Sequence, residues 1–177
     1  KNNLLKLKYI NKVDIKTEIL NDTSDVTVII DENKKTGQFL AGGTFSGDIG
    51  AGVTLAINDN NIFGTGNSID TKISANQENV LFNTSFIQYP TSTNKIKNKY
   101  SIFNVETDLS NSFGFKKDEY GFSYFINFDY DEMLDINSGI SYKKSDRHSP
   151  KKSVESISDN IGEYDIYSLN FSIIQND

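Results

Sequence analysis

The chain has 177 residues, a formal net charge of −6 and no cysteine. The acidic balance argues against non-specific nucleic-acid binding, and without thiols there is neither a disulfide framework nor a thiolate metal site. Hydrophobic residues make up only 36%, low for a domain of this size, yet there are nine Tyr and twelve Phe, and no apolar run approaches the ~20 residues of a membrane helix.

The opening "KNNLLKLKYINKVDI" reads as the tail of an amphipathic helix (Leu4, Leu5, Leu7) running into a strand. It has no initiator Met and no leader, so the expectation is a fragment. From Ser24 onward, period-2 alternation dominates. "SDVTVIIDE" places Val26, Val28 and Ile30 on one phase. "GQFLAGGTFSG" sets Phe39, Ala41, Gly43 and Phe45 against Gln38, Leu40, Gly42, Thr44 and Ser46. "IGAGVTLAIN" aligns Ala51, Val53, Leu55 and Ile57, and "SIDTKISA" aligns Ile69, Thr71 and Ile73. "VLFNTSFIQY" gives Val80, Phe82, Thr84 and Phe86, and "SIFNVETDL" sets Phe103, Val105, Thr107 and Leu109 against Asn104, Glu106 and Asp108. "YGFSYFINFDY" carries Tyr120, Phe122, Tyr124, Ile126, Phe128 and Tyr130 on one phase. "LDINSGISYK" and "YDIYSLNFSII" close the series with Leu134, Ile136, Ile140, Tyr142 and then Tyr167, Leu169, Phe171, Ile173.

The pattern predicts eight consecutive strands of roughly 8–11 residues, the length that spans a bilayer when tilted. The charges Asp70, Lys72, Glu106, Asp108, Asp129, Asp135 and Lys143 are expected on the phase opposite the large apolar side chains. Tyr recurs near strand ends (Tyr89, Tyr100, Tyr120, Tyr130, Tyr142, Tyr164), as in the aromatic girdle of a transmembrane barrel. The fold class is therefore mainly β: an antiparallel transmembrane barrel whose apolar phase faces outward. Short connections are expected at "SGD" and "NQEN", a longer one at "NSFGFKKDE", and the longest at "SDRHSPKKSVESISDNIGE", Ser145 to Glu163.

Few stretches suggest chemistry. "NDNNIFGTGNS", Asn58 to Ser68, has two glycines but no Lys-Ser/Thr and no helix after them, so it reads as a turn in which Gly64 and Gly66 serve backbone geometry. "DYDEMLD" lacks the glycine and ligand spacing of an EF-hand loop. His148, the one histidine, falls in the longest loop and is expected to have no partner for a catalytic or metal constellation. Lys151 and Lys152 read as a charged loop, and the sequons at Asn21, Asn83 and Asn170 as coincidence. The expectation is no enzyme, no cofactor and no metal.

The order of features resembles the BamA family, outer-membrane assembly factors with periplasmic POTRA domains ahead of a sixteen-stranded barrel. "NNLLKLKYINKVDIKTEI" is similar to the last helix and following strand of the final POTRA domain, with Lys8 where the family often has Gly. "DVTVIIDENKKTGQFLAGGTFSG" looks like the closing POTRA strand, a polar hinge and the first barrel strand. "GAGVTLAINDNNIFGTGNSIDTKI" resembles the family's next strand, its first periplasmic turn and the strand after, and "FNTSFIQYP" its fourth strand. The resemblance implies that residues 1–35 are the C-terminal part of a POTRA domain in the periplasm, and 37–177 the N-terminal half of an outer-membrane barrel. It implies folding and insertion of outer-membrane proteins by edge-strand templating at a lateral gate, the gate strand being Gln38, Phe39, Leu40, Ala41, Gly42, Gly43, Thr44, Phe45 and Ser46. Partners would be unfolded outer-membrane protein clients, outer-membrane lipid and accessory lipoproteins, the last through parts outside this chain, with no nucleic acid. Other readings are a TamA-like factor or two-partner secretion transporter, a passive outer-membrane pore, and a soluble lipid-binding barrel with its apolar phase inward.

Overall fold

The computed structural model describes residues 2–5, 7, 9–20, 23–47, 50–91, 95–129, 134–148 and 161–175. A single helical turn, α1 (Asn2–Leu5), leads into β1 (Ile10–Leu20), which pairs antiparallel with β2 (Thr23–Glu32). The N–H of Leu7 donates to the Leu4 carbonyl and that of Ile10 to the Leu7 carbonyl, so hydrogen bonds carry the chain from helix to strand. Alternation places Val13, Ile15 and Thr17 opposite Ile30, Val28 and Val26 on one face. Val13, 1% exposed, is the one buried apolar side chain among the described residues.

After Asn33 to Thr36 the chain enters a separate eight-stranded sheet: β3 (Gly37–Ser46), β4 (Gly50–Asp59), β5 (Ser68–Ala75), β6 (Asn79–Gln88), β7 (Ile96–Leu109), β8 (Phe115–Asp129), β9 (Leu134–His148) and β10 (Gly162–Gln175). Each strand pairs antiparallel with its sequence neighbour, and β3 and β10 are the two edges of an open sheet. This meander needs only short reversals, which the sequence supplies everywhere except between β9, ending at His148, and β10, beginning at Gly162.

The register sorts the side chains into two faces. One row across all eight strands reads Phe39, Ile57, Thr71, Thr84, Ile102, Phe122, Tyr142, Tyr167. A second reads Ile69, Phe86, Tyr100, Tyr124, Ile140, Leu169. Rings meet along both rows: Tyr100 stacks on Tyr124 at 5.0 Å between centroids, and Tyr142 meets Tyr167 tilted at 44° and 5.1 Å. The opposite face carries Asn58, Asp70, Ser85, Ser101, Ser123, Ser141 and Ser168 in a single row. Within it the Ser85 and Ser101 hydroxyls lie 2.9 Å apart. Among the described residues no second layer covers the apolar face, on which Ile102, Phe122 and Leu169 are exposed. So extended an apolar surface calls for a non-aqueous neighbour.

Four expectations are corrected. First, β7 has the reverse phase. Ile102 lies between Thr84 and Phe122 on the apolar face, whereas Phe103 and Val105 oppose Gly121 and Glu119 on the polar one. Both phases of "SIFNVETDL" are mixed, and cross-strand neighbours decide between them; a one-residue slip would flip every side chain. Glu106 and Asp108 consequently share a phase with Ile102 but lie beyond the apolar band, at the end of the sheet where His148 sits.

Second, β7 to β10 run 14–15 residues rather than 8–11. "FKKDE" alternates and pairs with Val105 to Leu109, so the connection after β7 shrinks to Ser110–Gly114, where the Phe113 and Gly114 amides both donate to the Leu109 carbonyl. Third, Ser145–His148 and Gly162–Glu163, expected in the longest loop, are strand residues paired across β9 and β10 or with β8. Fourth, Tyr164 opposes Ser145 on the polar face rather than joining a girdle, while Tyr100, Tyr120 and Tyr142 do lie on the apolar face. Tyr130, Lys151, Lys152, Asn21 and most of "DYDEMLD" lie outside the described residues.

Candidate functional site

The strand from Gln38 to Ser46 is β3 apart from its first residue, Gly37. It pairs with β4 in an unbroken register from Gly37↔Asp59 to Ser46↔Gly50. Among the described residues β4 is its one strand partner, and from Gly37 to Phe45 no described strand lies on the side away from β4, the position of an edge that can accept another strand. Both faces of β3 are open: Phe39 is 67% exposed and Leu40, on the opposite phase, 61%. A Cβ added at Gly42 would meet nothing within 4 Å, and one at Gly43 only ordinary contact with the Gly52 carbonyl. The two glycines are therefore not required for close approach to β4. Their effect is on the strand itself, since an interior Gly packs no side chain and holds the backbone loosely.

The reversal between β4 and β5 is densely hydrogen-bonded. Asp59 Oδ1 accepts from the Asn61 N–H at 2.9 Å, and Asn61 Oδ1 accepts from the Gly66 N–H at 2.6 Å. The Ile62 carbonyl accepts from both the N–H and the hydroxyl of Thr65, and the Ile62 N–H closes the loop onto the Asn67 carbonyl at 2.9 Å. Gly64 and Gly66 have φ of +69° and +76°, a region glycine enters without steric cost. Phe63, at φ 54° and ψ 22°, enters the same region with a side chain, at a cost of ~1–2 kcal/mol. Its ring is 94% exposed. The sequence reading singled out the glycines and missed Phe63; the signal available was an aromatic between a turn Asn and a turn Gly.

Backbone bonds prolong each sheet at this end. The Asn60 N–H donates to the Thr36 carbonyl at 3.1 Å, one step beyond the β3–β4 ladder, and the Asn33 N–H to the Tyr9 carbonyl at 2.7 Å, one step beyond the β1–β2 ladder. A Cβ at Gly66 would stand 3.0 Å from the Tyr9 hydroxyl, so Gly66 lets the Tyr9 ring approach the turn. Asn67 Oδ1 accepts from the Tyr89 N–H at 3.2 Å, tying this reversal to the one that follows β6.

At the opposite end, Glu106, Asp118, Asp146 and Glu163 form one cross-strand row. Like charges directly opposed are destabilising, and the row is partly neutralised by Lys144, 2.7 Å from Glu163. Asp108, beside this row, is held well below the usual carboxylate range by Lys116 and by the Ser110 hydroxyl and N–H. One ligand atom each from Asp118, Asp146 and His148 lie within 4.8 Å of one another. On the polar face Glu119 bridges Lys117 at 2.9 Å and Lys143 at 2.8 Å, and the Arg147 guanidinium stands 5.1 Å over the Phe115 ring.

No known family model and no curated protein matches the sequence. Solved structures do match. BamA from Haemophilus ducreyi lacking POTRA domains 1–3 is similar over 98% of this chain and 36% of its own, at 21% identity and a TM-score of 0.61. CdiB from Acinetobacter baumannii is similar over 96% of this chain and 35% of its own, at 13% identity and a TM-score of 0.62. The chain thus spans about a third of the length of each. At these identities the likeness is one of architecture, and the architecture is that of a BamA-like antiparallel β-barrel, here an open eight-stranded sheet.

Proposed function

We propose that the chain is part of an outer-membrane assembly factor that folds and inserts β-barrel proteins, with β3 as the strand that templates incoming clients. On this reading residues 1–35 end a periplasmic POTRA domain and 37–177 form the first half of a transmembrane barrel. The apolar face meets lipid and the serine row faces the lumen. The observation that carries the proposal is the position of β3 at one edge of the sheet: Gly37 to Phe45 pair with β4 in unbroken register, and no described strand lies on their other side. Main-chain hydrogen bonds from such an edge supply affinity for any strand, whatever its side chains, which suits a factor with many clients. The reading needs no catalysed reaction. Accessory lipoproteins and client proteins are proposed partners, not nucleic acid.

The test is a lock in the full-length protein. Cysteines at Phe39 or Ala41 and in the strand that closes the barrel would be oxidised, and insertion of a model outer-membrane protein into proteoliposomes followed. Insertion should stop on oxidation and resume on reduction, with the barrel folded throughout. Insertion at an unchanged rate in the fully oxidised protein would overturn the assignment of β3.

A second reading, a two-partner secretion transporter, is favoured by the comparable likeness to CdiB. Under that reading the lock leaves bulk insertion in depleted cells unchanged and the loss is confined to one secreted protein.

A further inference from the structure

We infer that Phe63 is a membrane anchor of the first turn, its ring seated in the headgroup region of the leaflet on that side of the barrel. The inference rests on the lipid-facing assignment made above. Three independent features converge on it. The ring is 94% exposed, more than any other large hydrophobic side chain described, so the protein itself gives it no apolar contact of note. Its backbone is held at positive φ, a conformation that a bulky residue leaves unless the surroundings enforce it. The surroundings do enforce it, through the bonds that Asn61, Ile62, Thr65 and Asn67 make around residues 62–66. A turn built only to reverse the chain would be relieved by Gly or Asn at this position, so the structure maintains both an exposed ring and a strained backbone.

Continuity with the apolar face identifies what the ring meets. Ile57 on β4 and Ile69 on β5 both belong to that face, and the turn springs directly from these two strands. Phe63 follows Ile57 by six residues and precedes Ile69 by six, at the tip of the reversal. Aromatic side chains at the ends of membrane strands settle where the apolar chains give way to headgroups. The polar residues beside it, Asp59, Asn60 and Asn61, turn their hydrogen bonds inward to the turn or to Thr36. The Tyr9 hydroxyl lies where a Cβ at Gly66 would come within 3.0 Å, so Tyr9 stands near the turn as well.

The experiment places a photoreactive benzoylphenylalanine at position 63 of the full-length protein in native outer-membrane vesicles. The same residue goes at position 57 on the apolar face and at position 123 on the polar face. After irradiation, adducts are separated by mass into phospholipid and protein. Lipid adducts are expected at 63 and 57 and not at 123. Lipid adducts at 57 with none at 63, or a discrete protein adduct at 63, would overturn the anchor while leaving the barrel orientation standing. An absence of lipid adducts at 57 as well would overturn the orientation itself. Heat-modifiable migration on a gel verifies that each labelled barrel is folded.

Discussion

The ring of Phe125 on β8 occupies the space that a side chain at Gly139, directly opposite on β9, would need. A matching pair lies on the same polar face: Phe103 sits against Gly121, where a Cβ would also collide with the Tyr142 carbonyl. In each case a ring covers a glycine and restores packing to a position that would otherwise be bare. Gly139→Ala and Gly121→Ala should each destabilise the barrel by roughly 1–3 kcal/mol, the usual cost of overpacking. Gly42→Ala on β3 meets open space and should be neutral or stabilise by up to ~1 kcal/mol. Urea midpoints of the folded protein in detergent micelles compare the three; equal effects would contradict the packing described.

Charge placement separates the two faces. Phe122→Lys and Ile102→Lys put a cation on the apolar face and should cost ~2–4 kcal/mol near the middle of a bilayer, lowering the yield of assembled barrel. Ser123→Lys and Val105→Lys put it on the face that already holds Lys117 and Lys143 and should assemble normally. Assembly scored by protease resistance in cells tests this, with Val105 the sharper probe because its own apolarity suggests the opposite outcome.

That position also shows where sequence reading succeeds and where it stops. The lipid phase of β8 was legible because six large side chains repeat at period two from Tyr120 to Tyr130. On β7 the two phases are nearly balanced, and only the ladder, Thr84 on one side and Phe122 on the other, assigns Ile102 to the apolar face. The edge role of β3 was implied by the family resemblance, not by alternation of its side chains. The meeting of Asp118, Asp146 and His148 was invisible, since the pairing of β8 with β9 brings together residues about 30 positions apart. The strain at Phe63 went unread, because the one cue, an aromatic beside a turn Gly, does not by itself place that residue at positive φ.

Asn61 should be the residue on which the first turn depends. Asn61→Ala removes the acceptor for the Gly66 N–H and should cost about 0.5–1.5 kcal/mol. Amide exchange at Gly66 should accelerate, while exchange at the Phe113 and Gly114 amides of the other reversal stays unchanged. Asn61→Asp keeps the acceptor and should retain protection. If Asn61→Ala leaves Gly66 as protected as before, another group holds the turn.

The sheet is not of even height. β3 to β6 are 8–10 residues long and β7 to β10 are 14–15. At ~3.3 Å per residue the later strands outreach the earlier ones by roughly 13–23 Å. Followed through the ladder, the row of Glu106, Asp118, Asp146 and Glu163 runs on through Val80, Ala75 and Val53 to Gly43, so at that end β3 reaches as far as the long strands. The surplus therefore lies at the other end, where Ile96 pairs with Phe128 and Leu134 with Gln175, and there the long strands overhang the side of the sheet that carries the turn between β4 and β5.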